Sequence, residues 1–148
     1  MERELTAERI EFLEKDYRRG FIKFCGFQPS KIGKGLFESA LAIGENHKTQ
    51  DDFIHAGVIA TMSDHTAGYA AYTLVSDDIR ILTIEFKINF LKPACGHALK
   101  CKSEIISHGR QIIVAQSIVF DVRDTHEKMV SKSTITLMAI DAARLEKH

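Results

Sequence analysis

The sequence predicts an α+β protein in which an antiparallel sheet of five or six strands wraps one long central helix. Three observations lead there. One segment is apolar almost all round, strand-like runs follow it with no further helix between them, and 148 residues fit one domain, 1–148. A surface helix would show a broad polar face, whereas residues 55–75 carry Asp64 as their lone formally charged group.

The N-terminal stretch, residues 1–20, reads as a helix. Thr6 supplies the N-cap, Glu8 sits in the first turn where the dipole favours it, and Ile10, Leu13 and Tyr17 follow at helical spacing. Gly20 is the expected stop. Phe21 to Gln28 mixes apolar and turn residues without a clear period. Lys34 to Ala42 reads as extended, and the polar run from His47 to Asp52 reads as a loop. In the central helix, Gly57, Ala60, Ala67, Gly68 and Ala71 let a sheet approach closely. Beyond Ser76, Ile84, Phe86, Ile88 and Phe90 alternate with Glu85, Lys87 and Asn89, the mark of a strand with one apolar face. Pro93 ends it. Three more strands are expected at Ala98 to Ser107, Gln111 to Val122 and Met129 to Ile140, joined by hairpin-like connections. The open edge of such a sheet favours pairing with a second copy.

Composition removes several function classes. Hydrophobic residues make up 45% of the chain, and twenty Lys+Arg balance twenty Asp+Glu. That is not a disordered chain, nor one with a global pull on nucleic acid. No run of about 18 apolar residues occurs, so no membrane span is expected. Met1-Glu-Arg-Glu lacks the apolar core of a secretory signal, and the expected location is cytoplasmic. Cys25, Cys95 and Cys101 form no CxxC pair and read as small core residues in a reducing compartment. His47, Asp51, Asp52 and His55 match no standard ligand spacing, so no metal is expected. GxSxG and GxGxxG segments are absent, which disfavours a serine esterase and dinucleotide chemistry.

His55-Ala56-Gly57, Asp64 nine positions after the histidine, the run from Thr83 to Ala94, and His108-Gly109-Arg110 together resemble the hotdog-fold acyl-CoA thioesterases of the phenylacetate-pathway and 4-hydroxybenzoyl-CoA type. The resemblance covers about Gly33 to Ile140. Two positions depart from the pattern: Ala56 replaces the first glycine of His-Gly-Gly, and Thr49, followed by Gln50, stands where an asparagine is usual.

The resemblance implies thioester hydrolysis. Its chemistry needs a donor for the developing oxyanion, which a helix N-terminus supplies through unpaired N–H groups and the dipole. By resemblance the Gly57 N–H polarises the carbonyl, Asp64 is base or nucleophile, and Thr83 assists the water. His55 shapes the loop or contacts the substrate, Ala56 borders it, and Thr49 or Gln50 takes over the asparagine's hydrogen bonding. Gly57 and Asp64 lie two turns apart, roughly 10 Å within one helix, too far for one thioester to touch both. The family's answer is a homodimer, or a homotetramer built from it, with the acid contributed by the partner subunit. Lys92, Arg110 and Lys132 are candidates for the phosphates of coenzyme A, which arrives with the substrate and is the sole cofactor-like group implied. Two other functions compete: a non-catalytic acyl-CoA binder or sensor, and a hydratase or dehydratase on the same fold, some members of which carry a His-Phe-Pro segment missing here.

Overall fold

Thr6 Oγ1 accepts the Arg9 N–H at 3.1 Å and opens the first helix, α1 (Ala7–Tyr17). The computed structural model describes residues 4–145. The helix stops at Tyr17, earlier than Gly20, which instead takes φ 58° and turns the chain into a short α2 (Phe21–Cys25). Gly26, at φ 88°, ends α2 in the left-handed conformation that glycine adopts without steric cost. The ambiguous stretch therefore contains a helical turn.

A strand not expected from the sequence, β1 (Gln28–Gly33), precedes the extended run expected from Lys34 to Ala42, which is present as β2 (Leu36–Ala42). The two form a hairpin, turning at Gly35 with φ 71°. Pro29 and Lys31 hide β1 from a search for apolar alternation. Both are tolerated because β1 is an edge strand, where a missing N–H costs no ladder bond on the open side. After a short turn at Glu45–His47 comes the long helix α3 (Ala56–Tyr72), and then β3 (Ile79–Phe90), β4 (Ala98–His108), β5 (Ile112–Arg123) and β6 (His126–Asp141).

All pairings are antiparallel, in the order β1-β2-β4-β5-β6-β3. One six-stranded sheet lies against one long helix, the hotdog fold. A polar seam joins them. Ser117 Oγ donates to the Ser63 carbonyl at 2.8 Å, Ser103 and Ser117 hydroxyls bond at 2.6 Å, and Ser39 bonds Thr66 at 2.8 Å. These side chains are buried and small, so helix and sheet approach closely while each hydroxyl keeps a partner. Beside the seam, Ala67 and Ala71 pack on Ile113, Ala115, Ile135 and Leu137. On the flank of α3 turned towards α1, Tyr17 stacks on Phe37 at 5.0 Å and packs edge-on against Tyr69 at 5.1 Å.

Two further expectations are corrected. The three cysteines do not share a buried fate: Cys101 is buried, Cys25 half-buried, and Cys95 exposed, where Arg123 donates to its sulfur and carbonyl. The apolar face of β3 is not one unbroken alternation either. Thr83 pairs with Leu137 and Glu85 with Thr136, so Ile84 is an extra residue in a bulge. The bulge switches parity. Ile81 and Thr83 lie opposite Ala139 and Leu137, while Phe86, Ile88 and Phe90 lie opposite Ile135, Ser133 and Ser131, all on the face turned towards α3.

Candidate active site

The chain enters α3 through a loop tied at several points. The Thr49 N–H donates to the Phe53 carbonyl at 2.7 Å, and Asp52 takes φ 64° to close the turn. The Thr49 hydroxyl accepts the Asp51 N–H at 3.2 Å, and the Gln50 amide donates to Asp51 at 3.3 Å. Both side chains thus serve the loop's own turn, and neither bonds His55, Gly57 or Asp64.

His55 is the N-cap of α3. It is exposed, its backbone is extended, and its Nδ1 accepts the Gly57 N–H at 2.8 Å. The donor assigned to the substrate therefore rests on an imidazole nitrogen of its own chain. A Cβ on Gly57 would lie 2.9 Å from that Nδ1, so a larger residue there pushes the His55 ring aside.

Asp64 lies farther along α3, half-buried, on the side facing β3. Its Oδ1 accepts the Thr83 hydroxyl at 2.8 Å. Burial raises the carboxyl above its ordinary value of 3.8, and the Thr83 hydrogen bond opposes part of that rise. A carboxylate that is partly desolvated and oriented by one donor is suited to taking a proton from water.

The remaining candidates are spread out. Ala56 and Lys92 both line a cleft of about 290 Å³ at the start of α3, together with Phe53, Ile59, Phe90 and Leu91. Arg110 lies in the β4–β5 connection, next to the strand ends that cover Ala67 and Ala71 near the other end of α3. Lys132 is exposed between buried Ser131 and Ser133, so it projects from the sheet face turned away from α3. Within one chain, then, Thr83 and Asp64 come together, as do His55 and Gly57, whereas Arg110 and Lys132 stand apart from both pairs.

One side chain tied into this region was weighed in the sequence only as a metal ligand. His47 is buried, and its ring bonds Gly44 and Cys25 while its carbonyl accepts the His55 N–H. Its signal is slight: a lone histidine in a polar loop. Among the described residues no group of three or more His, Cys, Asp or Glu is placed to hold a metal, and no helix is long and apolar enough to cross a membrane.

Comparison with known proteins agrees with this fold. Residues 52–127, which run from the loop before α3 into the start of β6, match the Thioesterase superfamily. A relative in Saccharolobus solfataricus, provisionally named an esterase, is 30% identical over 102 residues, 68% of this chain and 66% of that protein. The crystal structure of a thioesterase family protein from Silicibacter pomeroyi superposes with a TM-score of 0.86 at 30% identity, covering 89% of this chain and 98% of its own. A hypothetical thioesterase from Streptococcus pneumoniae, solved with coenzyme A, shares the fold at 20% identity and a TM-score of 0.75, over 86% and 96% of the two chains. A six-stranded hotdog sheet, the helix entered at His55-Ala56-Gly57 and the in-helix Asp64 are thus found in a chain that belongs to the thioesterase superfamily, a family of thioester hydrolases.

Proposed function

We propose that the protein is an acyl-CoA thioesterase whose active site is assembled between two copies, Gly57 from one and Asp64 from the other. The observation that carries this is Asp64 itself. It is a half-buried carboxylate on a helix with no other formal charge, raised above its ordinary pKa by burial and oriented by Thr83 at 2.8 Å. Asp64 takes a proton from water as the water oxygen attacks the thioester carbonyl, or attacks that carbon directly through its carboxylate. The direct attack expels the thiolate and leaves a mixed anhydride, which water then hydrolyses to the acid and free Asp64. In the first route the C–O bond forms while the carbonyl π electrons move to oxygen. The C–S bond then breaks, and the departing thiolate takes up the proton.

The Gly57 N–H meets the developing oxyanion. In the resting chain it is held by the neutral Nδ1 of His55. A neutral thioester carbonyl competes weakly for that hydrogen, whereas a charged oxyanion competes strongly. The exchange therefore favours the transition state over the ground state, the condition for catalysis. Lys92, beside the cleft at Ala56, is the favoured partner for a coenzyme A phosphate. Arg110 and Lys132 contribute only if the second copy brings them near. The Streptococcus protein solved with coenzyme A supports the choice of thiol carrier. Three unpaired thiols support a reducing, cytoplasmic setting.

Dimerisation is supported by β3, the edge strand beside β6, with Leu82, Ile84, Phe86 and Phe90 exposed in the single chain. A mixed-subunit experiment tests site and assembly together. Asp64→Asn and Gly57→Pro chains, each inactive alone, regain thiol release when refolded together, because one of the two mixed sites keeps both groups. No recovery would sink the shared site. Acyl-CoA binding by the wild type without any thiol release would make the protein a binder instead.

A further inference from the structure

We infer that His47 is a positioning residue for the oxyanion-binding end of the site. Its ring and carbonyl clamp the chain so that the first turn of α3 presents the Gly57 N–H in a fixed direction. This rests on the hydrolase reading above. His47 is only 7% exposed, and both ring nitrogens are used. Nδ1 accepts the Gly44 N–H at 2.9 Å, and Nε2 lies 2.7 Å from the Cys25 carbonyl oxygen. A carbonyl only accepts, so Nε2 carries the proton and Nδ1 is the bare acceptor, a single neutral tautomer satisfied at both ends. The ring thereby joins the end of α2 to the turn that follows β2.

The same residue reaches the active site through its backbone. The His47 carbonyl accepts the His55 N–H at 2.9 Å, and the Lys48–Ile54 bridge closes the loop between them. Beside it, the Ile54 N–H donates to the Ala94 carbonyl at 2.8 Å, tying the loop to the segment after β3. His55 is therefore held by backbone on one side and caps Gly57 with its own ring on the other. Removing the His47 ring leaves the Gly44 N–H and the Cys25 carbonyl without their partner, and the loop is free to relax. A donor displaced by about 1 Å can cost about 10²-fold in rate.

The experiment uses full-length His47→Ala and His47→Asn, since asparagine keeps an acceptor near the Gly44 N–H. Steady-state thiol release from an acyl-CoA is measured together with amide hydrogen exchange. The expected result for His47→Ala is a kcat lowered by about 10²-fold with KM little changed, and partial recovery in His47→Asn. Exchange at Gly57 and Val58 quickens, while Ala67 to Ala71 stay protected. Uniformly faster exchange along α3 would mean a purely structural role and would overturn the inference. So would an unchanged kcat in folded His47→Ala. If His47→Ala does not fold, His47→Asn is judged by the same two readings. If the wild type releases no thiol, the hydrolase reading falls, while faster exchange confined to Gly57 and Val58 still supports the clamp and unchanged exchange there still overturns it.

Discussion

Thr83 on an edge strand and Asp64 on the central helix are joined by a 2.8 Å hydrogen bond that exists because Ile84 is bulged out of register. Without the extra residue, Thr83 and the Phe86-Ile88-Phe90 face would lie on opposite sides of the strand. The bulge lets one strand supply both an apolar face and a hydroxyl aimed at a carboxylate.

Asp64→Asn keeps the volume and removes the base. The expected loss in kcat is about 10²–10⁴-fold with acyl-CoA binding retained. Because burial raises this carboxyl, the folded state prefers its protonated form, and wild-type stability falls as pH rises through the window above 3.8. The asparagine variant lacks that slope. Thermal midpoints across pH, measured beside thiol release, check both halves.

Thr83→Val removes the bond that holds the Asp64 carboxyl down. Activity that depends on the carboxylate rises with pH through the Asp64 pKa, so the acid limb of kcat/KM moves to higher pH in the variant. A limb that stays in place would separate Asp64 from the limb.

His55→Ala removes the side-chain cap of α3. The expected cost is about 1 kcal/mol of stability, while His55→Asn, which retains an acceptor, loses less. Chemical denaturation of the two variants against wild type gives the comparison.

His65 lies between Tyr17 at 4.5 Å and Tyr69 at 4.8 Å, and its Nε2 bonds the Tyr17 carbonyl at 3.0 Å. Burial lowers its pKa below the ordinary 6.5, so the unfolded chain takes up a proton before the folded one does. Stability contributed here is present above 6.5 and is lost as pH falls through the lowered value. His65→Gln flattens that decline in a series of denaturation curves run down the pH scale.

Ile84→Lys places a charge on an exposed bulge position of β3, 52% accessible in the single chain. Surface changes of this kind alter monomer stability by about 0.5 kcal/mol or less. The expected outcome is a folded monomer without activity, seen by sedimentation alongside thiol release. An active monomer would remove the shared site.

Much of this was legible in the chain. The apolar run around Asp64 marked the central helix, and Thr6 marked the start of α1, because periodicity and capping are local properties that neighbouring residues decide. The three strands after Pro93 fell within a few residues of their observed limits, each bounded by a polar turn. Residues 55–57 stood out through their resemblance to the hotdog thioesterases, and Asp64 through that resemblance and as the lone formal charge on the helix.

What the tertiary structure alone decided is where distant partners meet. Strand β1 carries Pro29 and Lys31 and is a strand because β2 offers it a ladder at the sheet's edge. The bulge at Ile84 follows from pairing with β6, about fifty residues away in sequence. His47 reads as an ordinary loop residue until α2 delivers the Cys25 carbonyl to its ring. Hydrophobic periodicity is written into consecutive residues, but register, orphan hydrogen-bond partners and burial depend on what the folded chain places opposite each group.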